Sequence, residues 1–415
     1  MDQYKMKKSI CIALTLFLCV GFACNRYKST LEIEWMTDDP IQVNDIIETC
    51  VVQKETFSAD KISSMLSALA GENYVLCKQY VRSNQEWLDI VTQMEAAENV
   101  SEDVLNEVKE NAMRAPESPS YEPIRLAEAS DGEMAATVLE RDGGVSYALF
   151  DMGGNSFSYY RSEDIQFVGK DVCEQNLLFC SSDSEKEHLL WLMPHPTISE
   201  KDSLATASDY IEKMNIPLRL FYYEPCTIIT DGVIRSDGWK FVFTKQSNGY
   251  AAQFWDGQWY YINPDAPPVS GSSWGEEVCS VVIDENGVCA FSWIGASREI
   301  SRNKNDKLLP DSEMKSVIDA QLFTIYKDHS YREGVYLDLQ ITKIEAGISL
   351  ISVNESPNLG QYVPSWYISY RYKWNDDEDI PESWEQDQII FNMINGDYIE
   401  PRVTEEKLNS ILQGG

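Results

Sequence analysis

The sequence predicts an α+β protein built of antiparallel β-sheets, each packed by a helix, with a helix-rich N-terminal part. Two observations carry that prediction. Apolar residues recur at helical spacing in short segments before residue 115, and from Met134 onward the period falls to two, with glycine-containing turns joining consecutive alternating runs. At 415 residues, 43% hydrophobic and 24% charged, the chain can bury substantial cores and is expected to fold as two or three domains.

The chain opens with an export signal. Lys7 and Lys8 lead into an apolar run from Ile10 to Phe22 that stops at Ala23-Cys24. A hydrocarbon core needs about 20 apolar residues in a helix, which this run does not supply, so a cleaved leader is favoured over a permanent span. Met6-Lys7-Lys8 is the more usual start for such a leader and would make residues 1–5 an upstream extension. Gly21-Phe22-Ala23 satisfies the small-x-small rule of ordinary signal cleavage and also approximates a lipobox, although Phe22 is bulky and Gly21 replaces the usual Leu. A cysteine directly after the cut favours lipid attachment at Cys24, with a secreted chain carrying a free Cys24 as the alternative. The expected division is a signal over 1–24, a tether over 25–44, and folded blocks over 45–200, 201–308 and 309–415.

The first folded block begins with helices. Ser58 caps a segment whose apolar face is Ile62, Met65, Leu66 and Leu69, and Gly71 supplies the stop. Ser83-Asn84-Gln85-Glu86 forms a capping box ahead of Leu88 and Val91, and Ser101 starts a third helix through Val104, Leu105 and Val108. Pro116, Pro119 and Pro123 end the region. Met134–Glu140 and Val145–Phe150, joined by Arg141-Asp142-Gly143-Gly144, then read as a hairpin.

A second helix-then-sheet block starts at Asp202, with Leu204, Ala207, Ile211 and Met214 on one face and Pro217 as the breaker. Strands are expected at Trp239–Lys245, Tyr250–Trp255 and Gln258–Ile262, followed by a hairpin of Val278–Ile283 and Val288–Ile294 closed by Glu285-Asn286-Gly287. The last block repeats the order. Pro310-Asp311 opens a helix with Met314, Val317, Ile318, Leu322 and Ile325 inward, and strands follow near Val335–Glu345, Ile348–Val353, Trp366–Trp374 and Gln388–Ile394. One helix with several antiparallel strands, occurring twice, suggests structural repetition.

A net charge of −33 repels phosphate backbones and anionic head groups, which argues against nucleic-acid binding and leaves lipidation as the membrane contact. Cys50, Cys77, Cys173, Cys180, Cys226, Cys279 and Cys289 show neither zinc-site spacing nor a dense disulfide pattern and read mostly as small buried hydrophobes, with Cys173 and Cys180 the best candidates for a local bridge.

Several C-terminal motifs occur in a telling order: Trp274–Ile283, Asn286-Gly287, Phe291-Ser292-Trp293, Leu308-Leu309-Pro310, Pro364-Ser365-Trp366 and Asn392-Met393-Ile394-Asn395-Gly396-Asp397. This order resembles a family of uncharacterised lipoproteins of Gram-positive bacteria, known as a domain of unknown function. Glu276 and Glu277 stand near that family's acidic position, while Asp311 replaces a Phe and Met393 and Asn395 replace an Ala and an Asp. Thr56-Phe57-Ser58 and Ala115-Pro116 are similar to the family's start. More distantly, the helix-plus-sheet unit resembles YycI/PepSY-type extracytoplasmic modules, which implies a binding or regulatory role and supplies no catalytic residue.

Candidate chemistry is sparse. Gly271-Ser272-Ser273-Trp274-Gly275 has the string of a nucleophile elbow, but a Pro-rich loop precedes it and a strand follows, where an elbow needs a strand before and a helix after. His188, His195 and His329 are too scattered to suggest a metal set. The run Asn375 to Asp379 lacks the alternating spacing and glycine turn of a calcium loop and reads as a solvated hairpin tip. Trp255, Trp259 and Tyr261 can share one sheet face and would suit a sugar or a peptide if open, against the simpler reading of a covered core. The expectation is therefore a lipoprotein anchored through Cys24 on the outer face of the cytoplasmic membrane. It is expected to act as a non-enzymatic binding or regulatory module on a cell-envelope protein, with no metal or cofactor. The alternatives are a glycan-binding surface protein using Trp255 and Trp259, and a hydrolase built on Ser273 or a carboxylate pair.

Overall fold

Ser58 starts the first helix because its hydroxyl accepts the N–H of Lys61 at 3.3 Å, satisfying one of the donors that a helix beginning leaves open. The computed structural model describes residues 31–36, 47–96, 100–141, 143–180, 182–230, 234–247, 249–252, 277–326, 337–353, 356, 358–374 and 385–399. Helix α1 (Ala59–Ala70) ends at Gly71 with a φ of +81°, a conformation glycine adopts without a Cβ penalty. Before α2 (Asn84–Ala96), the Ser83 N–H donates to the Glu86 carboxylate at 2.7 Å and the Glu86 N–H returns to the Ser83 hydroxyl at 3.4 Å, which is the expected capping box. Ser101 caps α3 (Glu102–Arg114) through the Val104 N–H.

The chain divides into two compact units. One draws its described residues from Met1–Asp45, Lys307–Ala346 and Ser365–Pro401, the other from Ile46–Asp306 and Gly347–Pro364.

The larger unit is organised by a ten-stranded antiparallel sheet. Its strands, in spatial order, are β4 (Ser120–Pro123), β3 (Val75–Val81), β5 (Gly132–Leu139), β6 (Val145–Met152), β7 (Ser156–Tyr160), β14 (Gly287–Ile294), β13 (Val278–Asp284), β10 (Ile234–Thr244), β9 (Arg219–Thr230) and β8 (Ile165–Gly169). Both expected hairpins are present as β5–β6 and β13–β14. They were expected in separate blocks, but pairing of β7 with β14 joins them into one sheet. Phe157 and Tyr159 alternate onto the same face as Phe291 and Trp293, so the junction extends one apolar surface. Ile62, Met65 and Leu66 of α1 pack on that surface together with Ala207 and Ile211 of α6 (Glu200–Lys213) and Met214, the residue that caps its C-terminal end. Two helices therefore back a single sheet. Phe150, Phe157, Phe241, Phe291 and Trp293 are all essentially inaccessible, and burial of each such side chain is worth roughly 1.5–3 kcal/mol.

Three further differences from the sequence reading have local causes. Helix α6 starts two residues before Asp202, because Ser199 caps it by accepting the Asp202 N–H at 3.1 Å. Helices α4 (Lys170–Phe179) and α5 (Asp183–Leu192) have no clear apolar repeat in sequence, and they are fixed by Cys173 and Leu192 packing on Ile229 of β9. The three helices before residue 115 are interleaved with β2 (Ile47–Lys54) and β3, and β4 follows them, so strands share this region with helices. Besides the sheet, β2 pairs with β15 (Ser297–Asp306) and with Leu359–Tyr362 of β17 (Leu359–Trp374), while β11 (Gln246–Ser247) pairs with β12 (Tyr250–Ala251).

In the smaller unit, β1 (Leu31–Trp35) runs parallel to β16 (Leu337–Ser352), so five residues of the expected tether are strand. β16 is continuous where two strands were expected, its residues from Gly347 onward belonging to the larger unit and Gly347 itself staying in extended backbone. Ser365–Tyr372 of β17 pairs with β18 (Glu385–Asn392), which pairs with β19 (Tyr398–Ile399). Met314, Ile318 and Leu322 of α7 (Asp311–Tyr326) are buried as expected. Two of the sequence motifs meet here: the Leu309 N–H donates to the Met393 carbonyl at 2.8 Å, and the Gly396 N–H closes the following turn on the Asn392 carbonyl at 2.8 Å.

Gly396 has a φ of +75°, and a Cβ built on it would lie 2.7 Å from Cγ1 of Val317. Gly396→Ala is expected to combine left-handed strain with overpacking and to cost about 2–4 kcal/mol in urea unfolding. Gly249→Ala, at a φ of +85° with open space around it, is expected to cost only about 1–2 kcal/mol; equal losses would show that the turn does not clasp α7.

Candidate functional site

A buried polar cluster among the described residues gathers side chains that are far apart in sequence. Glu277 lies immediately before β13 and is fully buried, as is Trp293 on the neighbouring β14, where it stands opposite Cys279. The Trp293 indole N–H donates to Oε1 of Glu277 at 3.1 Å, and the Ser297 hydroxyl, at the start of β15, donates to Oε2 at 2.7 Å. The Glu277 backbone N–H donates to the hydroxyl of Tyr362 on β17 at 3.2 Å. A carboxylate out of water is costly unless each oxygen finds a donor, and here both do.

On its other side the Trp293 ring is covered from α1 and the residues before it. Phe57 packs at 5.0 Å between ring centroids, and the Lys61 ammonium sits 4.8 Å from the centroid while pairing with Glu55 at 3.3 Å. Phe57 is held by its own backbone, whose N–H donates to the Gly154 carbonyl at 2.7 Å and whose carbonyl accepts the Gly153 N–H. Burial raises the Glu277 carboxyl above the usual carboxylate range, while the Ser297 hydroxyl, the positive charge of nearby Lys245 and the Trp293 indole pull it back.

Two other networks tie strands together. Asp284, at the end of β13, accepts from Arg161 at 2.7 Å, from the Ser236 hydroxyl at 3.2 Å and from the Asn286 N–H at 2.8 Å. Asp237 on β10 accepts from the Thr227 hydroxyl at 2.9 Å, from Arg235 and from the His195 backbone N–H at 3.0 Å. Arg235 also donates to the carbonyls of Trp191 and Met193, anchoring the end of α5.

The sequence candidates fare unevenly. His188 is exposed and stacks on Trp191, and His195 contributes its backbone to Asp237, so neither is brought to the Glu277 cluster. Cys173 and Cys180 are unpaired thiols, a correction to the suggested bridge: the Cys173 thiol faces the Leu192 carbonyl and that of Cys180 faces the Ser182 carbonyl. Six of the seven described cysteines are buried, as their spacing suggested. Cys24, Trp255, Trp259, Tyr261, Ser273, His329 and the run Asn375 to Asp379 lie outside the described residues. Among the described residues no group of His, Cys, Asp and Glu side chains forms a metal site, and no helix is long and apolar enough to cross a membrane. Sequence reading missed the convergence of Phe57, Glu277 and Trp293, although each stands within or near a motif it had singled out.

No family model matches the chain, and no curated protein matches it. A solved structure similar to it is that of an uncharacterized protein from Eubacterium rectale, 11% identical, covering 90% of this chain and 91% of that one with a TM-score of 0.44.

Since burial raises the Glu277 carboxyl, the folded state binds a proton more readily than the unfolded chain. Its contribution to stability is therefore greatest below the ordinary Glu value of about 4.3 and falls as pH rises through the raised value. Glu277→Gln keeps partners for Trp293 and Ser297 while removing the titration, so its stability relative to wild type is expected to increase from pH 4 to pH 7 in urea melts. Glu277→Ala leaves those donors without their acceptor and is expected to cost about 2–4 kcal/mol at both pH values.

Proposed function

We propose that the protein is an exported, lipid-anchored module that binds or regulates another cell-envelope protein and performs no chemistry of its own. The observation that carries this reading is how the folded chain uses its reactive groups. Glu277, Asp284, Asp237 and Glu86 each have both carboxylate oxygens occupied by donors from the same chain, which makes them fasteners between strands and helices. Burial raises the thiols of Cys50, Cys77, Cys173, Cys226, Cys279 and Cys289, which keeps them protonated and poor nucleophiles. The leader ending at Cys24 and the resemblance to YycI/PepSY-type modules support the same reading from sequence.

Cys24→Ser is expected to release the chain into the medium, whereas undiminished retention in the membrane fraction would remove the anchor. Proximity labelling from the anchored wild-type chain is expected to enrich a small reproducible set of envelope proteins over the released variant. Labels scattered over unrelated envelope proteins would overturn the binding role.

A further inference from the structure

Only the residues from Asn25 to Thr30 separate Cys24 from β1. A fully extended chain spans at most about 3.6 Å per residue, so this connection reaches roughly 20 Å. β1 is built into the smaller unit. It pairs with β16 from Leu31↔Leu337 to Trp35↔Ile341, and the Met36 N–H continues the ladder to the Ile341 carbonyl at 2.9 Å. The Trp35 indole donates to Oδ1 of Asp319 on α7 at 3.0 Å, and the Lys315 ammonium lies 4.9 Å from the centroid of the same ring. Lengthening the leash by peeling β1 away would sacrifice that ladder, the indole hydrogen bond and the cation–π contact together.

We infer that the smaller unit is held beside the bilayer and that the module's partner is the extracytoplasmic part of an integral membrane protein close to the lipid surface. This rests on lipidation of Cys24 as proposed above. From Leu31 onward, acidic side chains in the unit outnumber basic ones by three to one, so anionic head groups repel it and the lipid surface itself is disfavoured as its docking partner.

The test uses the full-length chain in intact cells, with a photo-crosslinking residue replacing Met36, which is 54% exposed just beyond β1. A second probe replaces Phe323, exposed on α7, so that misfolding at one position does not decide the result. Adducts with integral membrane proteins are expected, and their yield should fall several-fold when about 30 Gly/Ser residues are inserted between Lys28 and Ser29, adding a root-mean-square reach of about 30 Å. Adducts chiefly with phospholipid or with soluble wall components would overturn the inference, as would a yield indifferent to tether length. Membrane retention of Cys24→Ser would instead sink the lipidation reading, and release of that variant alongside a length-independent yield would sink the proximity inference alone.

Discussion

The larger unit depends on the ladder between β7 and β14. That pairing connects the hairpin β5–β6 to the hairpin β13–β14, and its register sets Phe157 against Trp293 and Tyr159 against Phe291 on one face. With a period of two, a slip of one residue between these strands would turn the two aromatics of one strand to the opposite face from those of the other. The face beneath α1 and α6 would lose two of its large side chains. On that opposite face, Ser158 stands against Ser292 with hydroxyls 2.9 Å apart, a small polar pair that fits this register and favours it further.

The Glu277 network rests on the neighbouring ladder between β13 and β14. Trp293 reaches Glu277 because β14 and β13 are adjacent, and Phe57 reaches Trp293 because Gly153 and Gly154, in the turn leading into β7, hold its backbone. Glycine is needed at that turn: Gly153 has a φ of +77°, and a Cβ on Gly154 would fall 1.6 Å from the Asp151 carboxylate. Satisfied buried polar networks impose direction where apolar packing imposes only proximity. Here the Ser297 hydroxyl and the Trp293 indole donate to the two oxygens of one carboxylate, which ties the direction of the indole to that of Glu277, and Phe57 and Lys61 pack on the same ring.

Local structure was more legible than partnership. Caps at Ser58, Ser83 and Ser101 and the two hairpins could be read because their determinants lie within a few residues of one another. The merging of the hairpins into one sheet was not readable, since β7 and β14 are separated by more than a hundred residues and carry no turn between them. Helices α4 and α5 escaped notice because their stability comes from contacts with β9 rather than from a repeating apolar stripe. The candidate site was half visible. Phe57, Glu277 and Trp293 each stood in or near a motif, but nothing along the chain says that an indole from one motif will meet a carboxylate from another.

The unpaired cysteines bear on where such a fold can persist. An oxidising compartment favours disulfides between thiols that can ionise and meet, and reaction proceeds through the thiolate. Cys226, Cys279 and Cys289 lie wholly inside the sheet core, where burial pushes each thiol up, and Cys77 is raised by burial alone. Cys289 also donates to the Val282 carbonyl at 3.3 Å, which occupies its proton. Free thiols in these positions are therefore compatible with life outside the cytosol: the core that excludes water also excludes the thiolate and the oxidant. Cys180 is the half-exposed exception, and it is the cysteine for which compartment matters most.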